Sequence, residues 1–258
     1  MPVTSDREAL SKVPEVTLAF WAIKIAATTL GETGGDSVTM TLNWGYLAGT
    51  ALFLGLLIAL VAAQIRARKF QPLLYWATIV ASTTFGTTMA DFADRSLGIS
   101  YAGGSLLLSL CLAAALGLWY RSEGTIAVAT VSRPRTEAFY WVAITLSQTL
   151  GTALGDWMAD SGLGYEGGAL VFGAGLVVIA GLYFRTGLSR VAIFWAAFIL
   201  TRPLGATIGD FLDKPIKAGG LALSRPLASA ALAGFIVLCL LVLPQRAGRH
   251  PGAAAPPS

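Results

Sequence analysis

The sequence predicts an all-α, polytopic membrane protein of about eight transmembrane helices, and three observations carry that expectation. Its 258 residues are 55% hydrophobic and 12% charged, with a mean hydropathy of +0.68, too apolar and charge-poor for an ordinary soluble domain. Apolar segments of about 20 residues, enough for a helix to cross a hydrocarbon core of about 30 Å, recur along the whole chain. Gly, Thr and Ser are spread through these segments and no short strand-length alternation is present, so helices are expected over an outer-membrane barrel.

The helices are expected near 13–33, 44–65, 72–92, 102–120, 137–157, 166–184, 190–211 and 219–243. The preceding residues interleave Asp6, Arg7, Glu8, Lys12 and Glu15 and lack the basic start and small-residue cleavage site of a secretory signal, so the first helix is expected to be retained. The whole chain, 1–258, reads as one integral membrane domain with repeats near 13–69, 70–133, 134–188 and 189–246 and a disordered tail over 247–258. Cys111 and Cys239 sit singly in apolar helices, as small hydrophobes do, and His250 lies in the basic tail.

Orientation follows from the basic residues. Arg7 and Lys12 precede helix 1, Arg66, Arg68 and Lys69 follow helix 2, and Arg121, Arg133 and Arg135 follow helix 4. Arg185 and Arg190 follow helix 6, and Arg246 and Arg249 follow helix 8. With alternating helices all fall on one side, which the positive-inside rule makes cytoplasmic. A bacterial-type inner membrane with both termini cytoplasmic is therefore expected, with an acidic outer face.

The repeat is visible residue by residue. Phe20-Trp21, Tyr75-Trp76, Tyr140-Trp141 and Phe194-Trp195 each open an odd-numbered helix. Ten residues after each Trp stands Gly31, Gly86, Gly151 or Gly205, and five residues later Asp36, Asp91, Asp156 or Asp210. Each unit then reaches a small-residue start to its even helix: Asn43-Trp44-Gly45, Gly103-Gly104, Gly167-Gly168 and Gly219-Gly220. On these residues the chain resembles the bacterial family of uncharacterised membrane proteins built from four tandem repeats of unknown function. The resemblance covers nearly all of the chain and implies two transmembrane segments and a characteristic tryptophan per repeat, but brings no activity with it. An even number of spans per repeat makes the four copies parallel, unlike the inverted pairs of many transporters. Four odd helices around a shared axis, or two four-helix halves, would both satisfy this.

Helical geometry sorts each repeat into faces. Positions seven, eleven and fifteen after the Trp form one stripe: Thr28, Glu32 and Asp36; Thr83, Thr87 and Asp91; Gln148, Thr152 and Asp156; Arg202, Ala206 and Asp210. Ionisable groups near the bilayer centre cost at least about 2.5 kcal/mol on insertion scales, so this stripe is expected to face inward. Beside it runs a stripe of small residues, Gly31/Gly35, Gly86/Ala90, Gly151/Gly155 and Gly205/Gly209, suited to close helix packing. The tryptophans read as interfacial anchors or packing aromatics. Asp94, Asp160, Asp213 and Glu166 form an outer acidic set, expected to be solvated or salt-bridged.

The stripe predicts function. Glu32, Asp36, Asp91, Asp156 and Asp210, with the Thr hydroxyls and Gln148, make an oxygen-rich set suited to hard cations such as Mn²⁺, Mg²⁺, Ca²⁺ or Na⁺, and no Cys/His cluster favours a soft metal. A cation transporter or exporter, with manganese among the candidates, is the leading expectation. Lys24, Arg202-Pro203 and Arg225-Pro226 complicate it, the last two being expected to interrupt helices 7 and 8. These bases read either as locks or gates for the acids or as contacts of an anion or small-metabolite carrier; a structural or accessory protein is the third class. An intramembrane aspartyl protease is disfavoured because Ala153 and Thr207 replace the first glycine of its Gly-x-Gly-Asp signature. No enzymatic activity, cofactor or nucleic-acid partner is expected. The lipid bilayer and a small cation are the expected partners.

Overall fold

The computed structural model describes residues 11–249. Asp6, Arg7, Glu8, His250 and the Pro251–Ser258 stretch lie outside the described residues. Eight long helices follow one another: α1 Leu18–Asp36, α2 Gly45–Arg66, α3 Pro72–Asp91, α4 Tyr101–Glu123, α5 Pro134–Met158, α6 Gly164–Arg185, α7 Arg190–Asp213 and α8 Arg225–Val242. Local chemistry places their ends. The Thr17 hydroxyl accepts from the Phe20 amide, Ser100 from Gly103 and Ser189 from Ala192, while Pro72, Pro134 and Pro226 occupy first turns where a missing N–H costs nothing. Gly124, at φ 72°, closes α4 in the left-handed conformation.

Two boundaries differ from expectation by five residues or more. The first helix begins at Leu18, not 13, because Pro14 holds the chain extended; Ser11 and Glu15 instead donate to Gly248 and Arg246 carbonyls, and Gly248 donates back to Val13. Ala247 and Gly248, expected to open the tail, belong to this pairing. The last helix begins at Arg225, not 219. Gly219 and Ala222 are left-handed (φ 88° and 53°), so Gly219-Gly220 lie in a turn and Arg225-Pro226 start α8 rather than interrupt it.

α1, α3, α5 and α7 form a closed ring, each touching the next and α7 touching α1. Their directions agree: the aromatic pairs at their starts meet at one end, as Phe20 with Trp76 and Phe194 and Tyr75 with Trp141, and the carboxylates gather at the other. Each even helix lies against the odd helix of the following repeat, α2 on α3, α4 on α5 and α6 on α7, with α8 returning to α1.

The ring is registered by one glycine contact used four times. A Cβ on Gly31 would strike Thr83, and one on Gly205 would strike Thr28; on Gly86 it would lie 2.9 Å from the Gln148 backbone, and on Gly151 it would strike Arg202. In every case the tenth residue after one Trp meets the seventh after the Trp of the next repeat. Gly35, Gly155 and Gly209 repeat the contact one turn on, against Thr87, Ala206 and Glu32.

Polarity is inverted relative to a water-soluble bundle. Lys24, Glu32, Gln148 and Arg202 are buried, whereas Leu106, Leu170 and Leu241 on even helices are 64%, 74% and 79% exposed. Several helices are long and apolar enough to cross a membrane: α2, α4, α7, α8 and the α5–α6 run. α1 and α3, rich in Thr, are two of the four helices of the ring.

Candidate functional site

The odd helices stack their inward side chains in layers of four, and the stripe runs further than expected. One turn before the seventh-position layer lie Lys24, Ile79, Ile144 and Phe198; one turn before that lie Phe20, Tyr75, Tyr140 and Phe194. The Tyr75 and Tyr140 hydroxyls bond each other at 2.6 Å across this aromatic layer. Sequence reasoning missed both layers, although the signal was the same period of four continued backwards to the aromatic that precedes each Trp. Trp76, Trp141 and Trp195 are buried; the indole of Trp76 donates to Gln245 and that of Trp195 to the Ile126 carbonyl, so they pack the bundle rather than anchor it at a lipid interface. Beneath this end the Ser11–Glu15 segment forms a floor, where Lys12 meets Glu137 at 2.6 Å.

In the middle of the axis Arg202 is the organising residue. It is fully buried, and its Nη2 donates to Glu32 Oε2 at 3.0 Å and to the hydroxyls of Thr87 and Thr152, each at 2.5 Å. α1, α3 and α5 each supply one partner to this side chain of α7. Removing either charge of such a pair leaves the other buried and uncompensated, a cost of about 3–5 kcal/mol. Pro203 does not break α7; it packs against Gly151 and Gly155 of α5, and the Thr28 hydroxyl contacts the Thr201 carbonyl at 3.3 Å. Lys24 lies with its ammonium 4.0 Å from the centre of the Phe198 ring and makes no ion pair among the described residues. Thr83 and Gln148 are buried there, with no hydrogen-bond partner for the Thr83 hydroxyl or the Gln148 amide among the described residues.

The acids occupy the end away from the aromatics, but not as one ring of four. One group joins Glu32, Asp156 and Asp210, from α1, α5 and α7; a second joins Asp36, Asp210 and Asp213; in each, one oxygen per residue lies within 4.8 Å of the others. Asp91 belongs to neither and is bound by Arg95 at 3.1 Å. Of the outer set, expected to be solvated or salt-bridged, Asp213 is buried and pairs with Arg225, while Asp160 and Glu166 are exposed and Asp94 is half-buried. Asp156 makes no ion pair or hydrogen bond among the described residues and keeps slight exposure, which marks it as the free ligand of the first group.

Two bases close the second group. Lys214 Nζ lies 2.5 Å from Asp36 Oδ2, 2.9 Å from Asp210 Oδ1 and 3.9 Å from Asp213 Oδ1. Arg225 Nε lies 3.3 Å from Asp213 Oδ2 and 3.8 Å from Asp36 Oδ2. Burial disfavours the Lys214 ammonium, but Asp210, Asp36 and Asp213 outweigh it and hold its pKa above the ordinary lysine value. The expected helices 190–211 and 219–243 leave Lys214 in the loop between them. What brings it inward is a departure of the fourth repeat: after the stripe Asp the first three helices open into wide π turns, Ser37–Thr41, Phe92–Ser96 and Ala159–Leu163, while α7 stays α-helical to Asp213.

Chemically, the first group is an all-oxygen set of three carboxylates flanked by the Thr152 layer, suited to a hard cation. Among families of known sequence, the one described as Repeat of Unknown Function (DUF347) matches four times in tandem, at residues 19–70, 74–125, 139–189 and 193–246. Nothing matches among curated proteins or among solved structures.

Proposed function

The chain belongs to this family of tandem repeats of unknown function, and from that premise we propose that it is a membrane transporter or exporter of a small hard cation, with divalent manganese among the candidates. In this reading all eight helices span a bacterial-type inner membrane, the repeats are parallel, and both termini are cytoplasmic because Arg66, Arg68, Arg121, Arg133 and Arg185 lie at the aromatic end. The observation that carries it is the convergence of Glu32, Asp156 and Asp210 from three helices, with Asp156 uncompensated. An unpaired carboxylate on a membrane axis is costly, and binding a cation there offsets the cost. Two of the three bases weigh against the anion-carrier reading, since Arg202 pairs with Glu32 and Arg225 with Asp213, while Lys24 pairs with no acid among the described residues.

The reading is tested by cation flux into proteoliposomes, with Mn²⁺ and Na⁺ as separate probes. Wild-type protein is expected to carry at least one of them. Asp156→Asn keeps shape and removes the charge, so it is expected to lower flux at least tenfold with the fold intact. Equal flux in Asp156→Asn, or no flux of either ion in the wild type, would overturn it.

A further inference from the structure

We propose that Asp36, Asp210 and Asp213 form a second, outer cation site, and that Lys214 is a tethered occupant of it which a transported cation must displace. The proposal rests on the cation-transport reading and names what controls access to its inner group. Lys214 fills the place an incoming ion would take: its ammonium touches Asp36 and Asp210 and lies 3.9 Å from Asp213. The pocket is not saturated by this occupant. Asp36 Oδ1 and both Asp213 carboxylate oxygens are buried and accept no hydrogen bond among the described residues, so three carboxylates face two positive groups, Lys214 and Arg225. Unused inward-facing acceptors with surplus negative charge are what a cation of higher coordination number completes and a three-proton ammonium does not.

The ammonium is delivered by a built turn, not by a loose side chain. Leu221, Ala222 and Leu223 donate to the carbonyls of Phe211, Lys214 and Leu212, folding 215–223 back over the end of α7. A side chain at Gly220 would strike the Lys214 carbonyl, so the turn closes only with glycine there. Asp210 belongs to both acid groups. A cation that displaces Lys214 is therefore already bound by one ligand of the inner group and reaches Glu32 and Asp156 without leaving Asp210.

The test is equilibrium binding of Mn²⁺ and of Na⁺ to purified full-length protein, by calorimetry and by the shift in melting temperature. A like charge a few ångströms from a bound ion weakens binding by well over tenfold at the screening typical of a protein surface. Lys214→Gln is therefore expected to bind the transported ion at least tenfold more tightly than wild type, and Lys214→Arg to stay near wild type. Lys214→Cys, in a Cys111→Ala/Cys239→Ala background, should also bind tightly and return to wild-type affinity when an aminoethyl thiol reagent restores the positive charge. Unchanged or weaker binding in Lys214→Gln, or its failure to fold in excess Mn²⁺ and in excess Na⁺, would overturn the tethered-occupant proposal while leaving transport intact if wild type still binds and Asp156→Asn does not. Absence of binding in wild type and in every Lys214 variant would remove both.

Discussion

At the scale of single residues, Arg202 and Lys214 show how similar contacts have different consequences. Arg202 is fixed by Glu32, Thr87 and Thr152 deep on the axis, so Arg202→Gln should leave Glu32 buried and unpaired and destabilise the protein by about 3–5 kcal/mol. The double variant Arg202→Gln/Glu32→Gln removes both charges and is expected to recover most of that loss; unfolding in detergent measures both, and strict additivity would show that the two side chains are not coupled. Lys214 offers a pH test. Its folded pKa is raised, so its stabilising contribution is complete below the unfolded lysine value of about 10.4 and is lost only as pH rises through the folded value. The melting-temperature gap between wild type and Lys214→Gln should not close between about pH 7 and about pH 9. A gap that closes over that range would mean that the ammonium is already being lost.

At the scale of elements, the ring is held by the glycine contacts, and their worth is measurable against an internal control. Gly86 abuts the α5 backbone at Gln148 and Thr149, which has no flexible end to move aside, whereas nothing lies within 4 Å of a Cβ at Gly173 on α6. Gly86→Leu should force α3 and α5 apart and sharply lower folded yield; Gly173→Leu should not. Similar yields would show that the ring tolerates separation at this contact. This stripe was legible in the sequence because small residues recur at a helical spacing, and so was the polar stripe beside it. Three things were not. The tryptophans left an anchoring and a packing role both open, and the residue before each was not tested against the same period of four; Phe20, Tyr75, Tyr140 and Phe194 continue it. The division of acids into two groups depends on where Arg95, Lys214 and Arg225 reach, which no helical angle states. The inward course of Lys214 depends on a turn after α7, whose backbone hydrogen bonds have no counterpart in the repeated pattern of residue types.

At the scale of the whole molecule, the inverted polarity and the excess of basic residues at the aromatic end make orientation testable. In the Cys111→Ala/Cys239→Ala background, cysteines introduced at Asp160 or Glu166 should react with an impermeant thiol reagent added outside cells, and cysteines at Arg68, Arg133 or Arg185 should not. The reverse pattern would turn the protein over in the membrane without altering its ring.

Because every second helix of a repeat covers the first helix of the next, and α8 comes back to α1, no repeat encloses its own pair. The architecture is that of four two-helix units that each lend an arm to a neighbour, joined by three covalent junctions. Severing one such junction should therefore be survivable: fragments 1–133 and 134–258, made together, should reassemble through α4 on α5 and α8 on α1 and co-purify as one particle. Each fragment made alone exposes the bed its partner's arm would fill, which is a reason for a cell to encode all four on a single continuous chain.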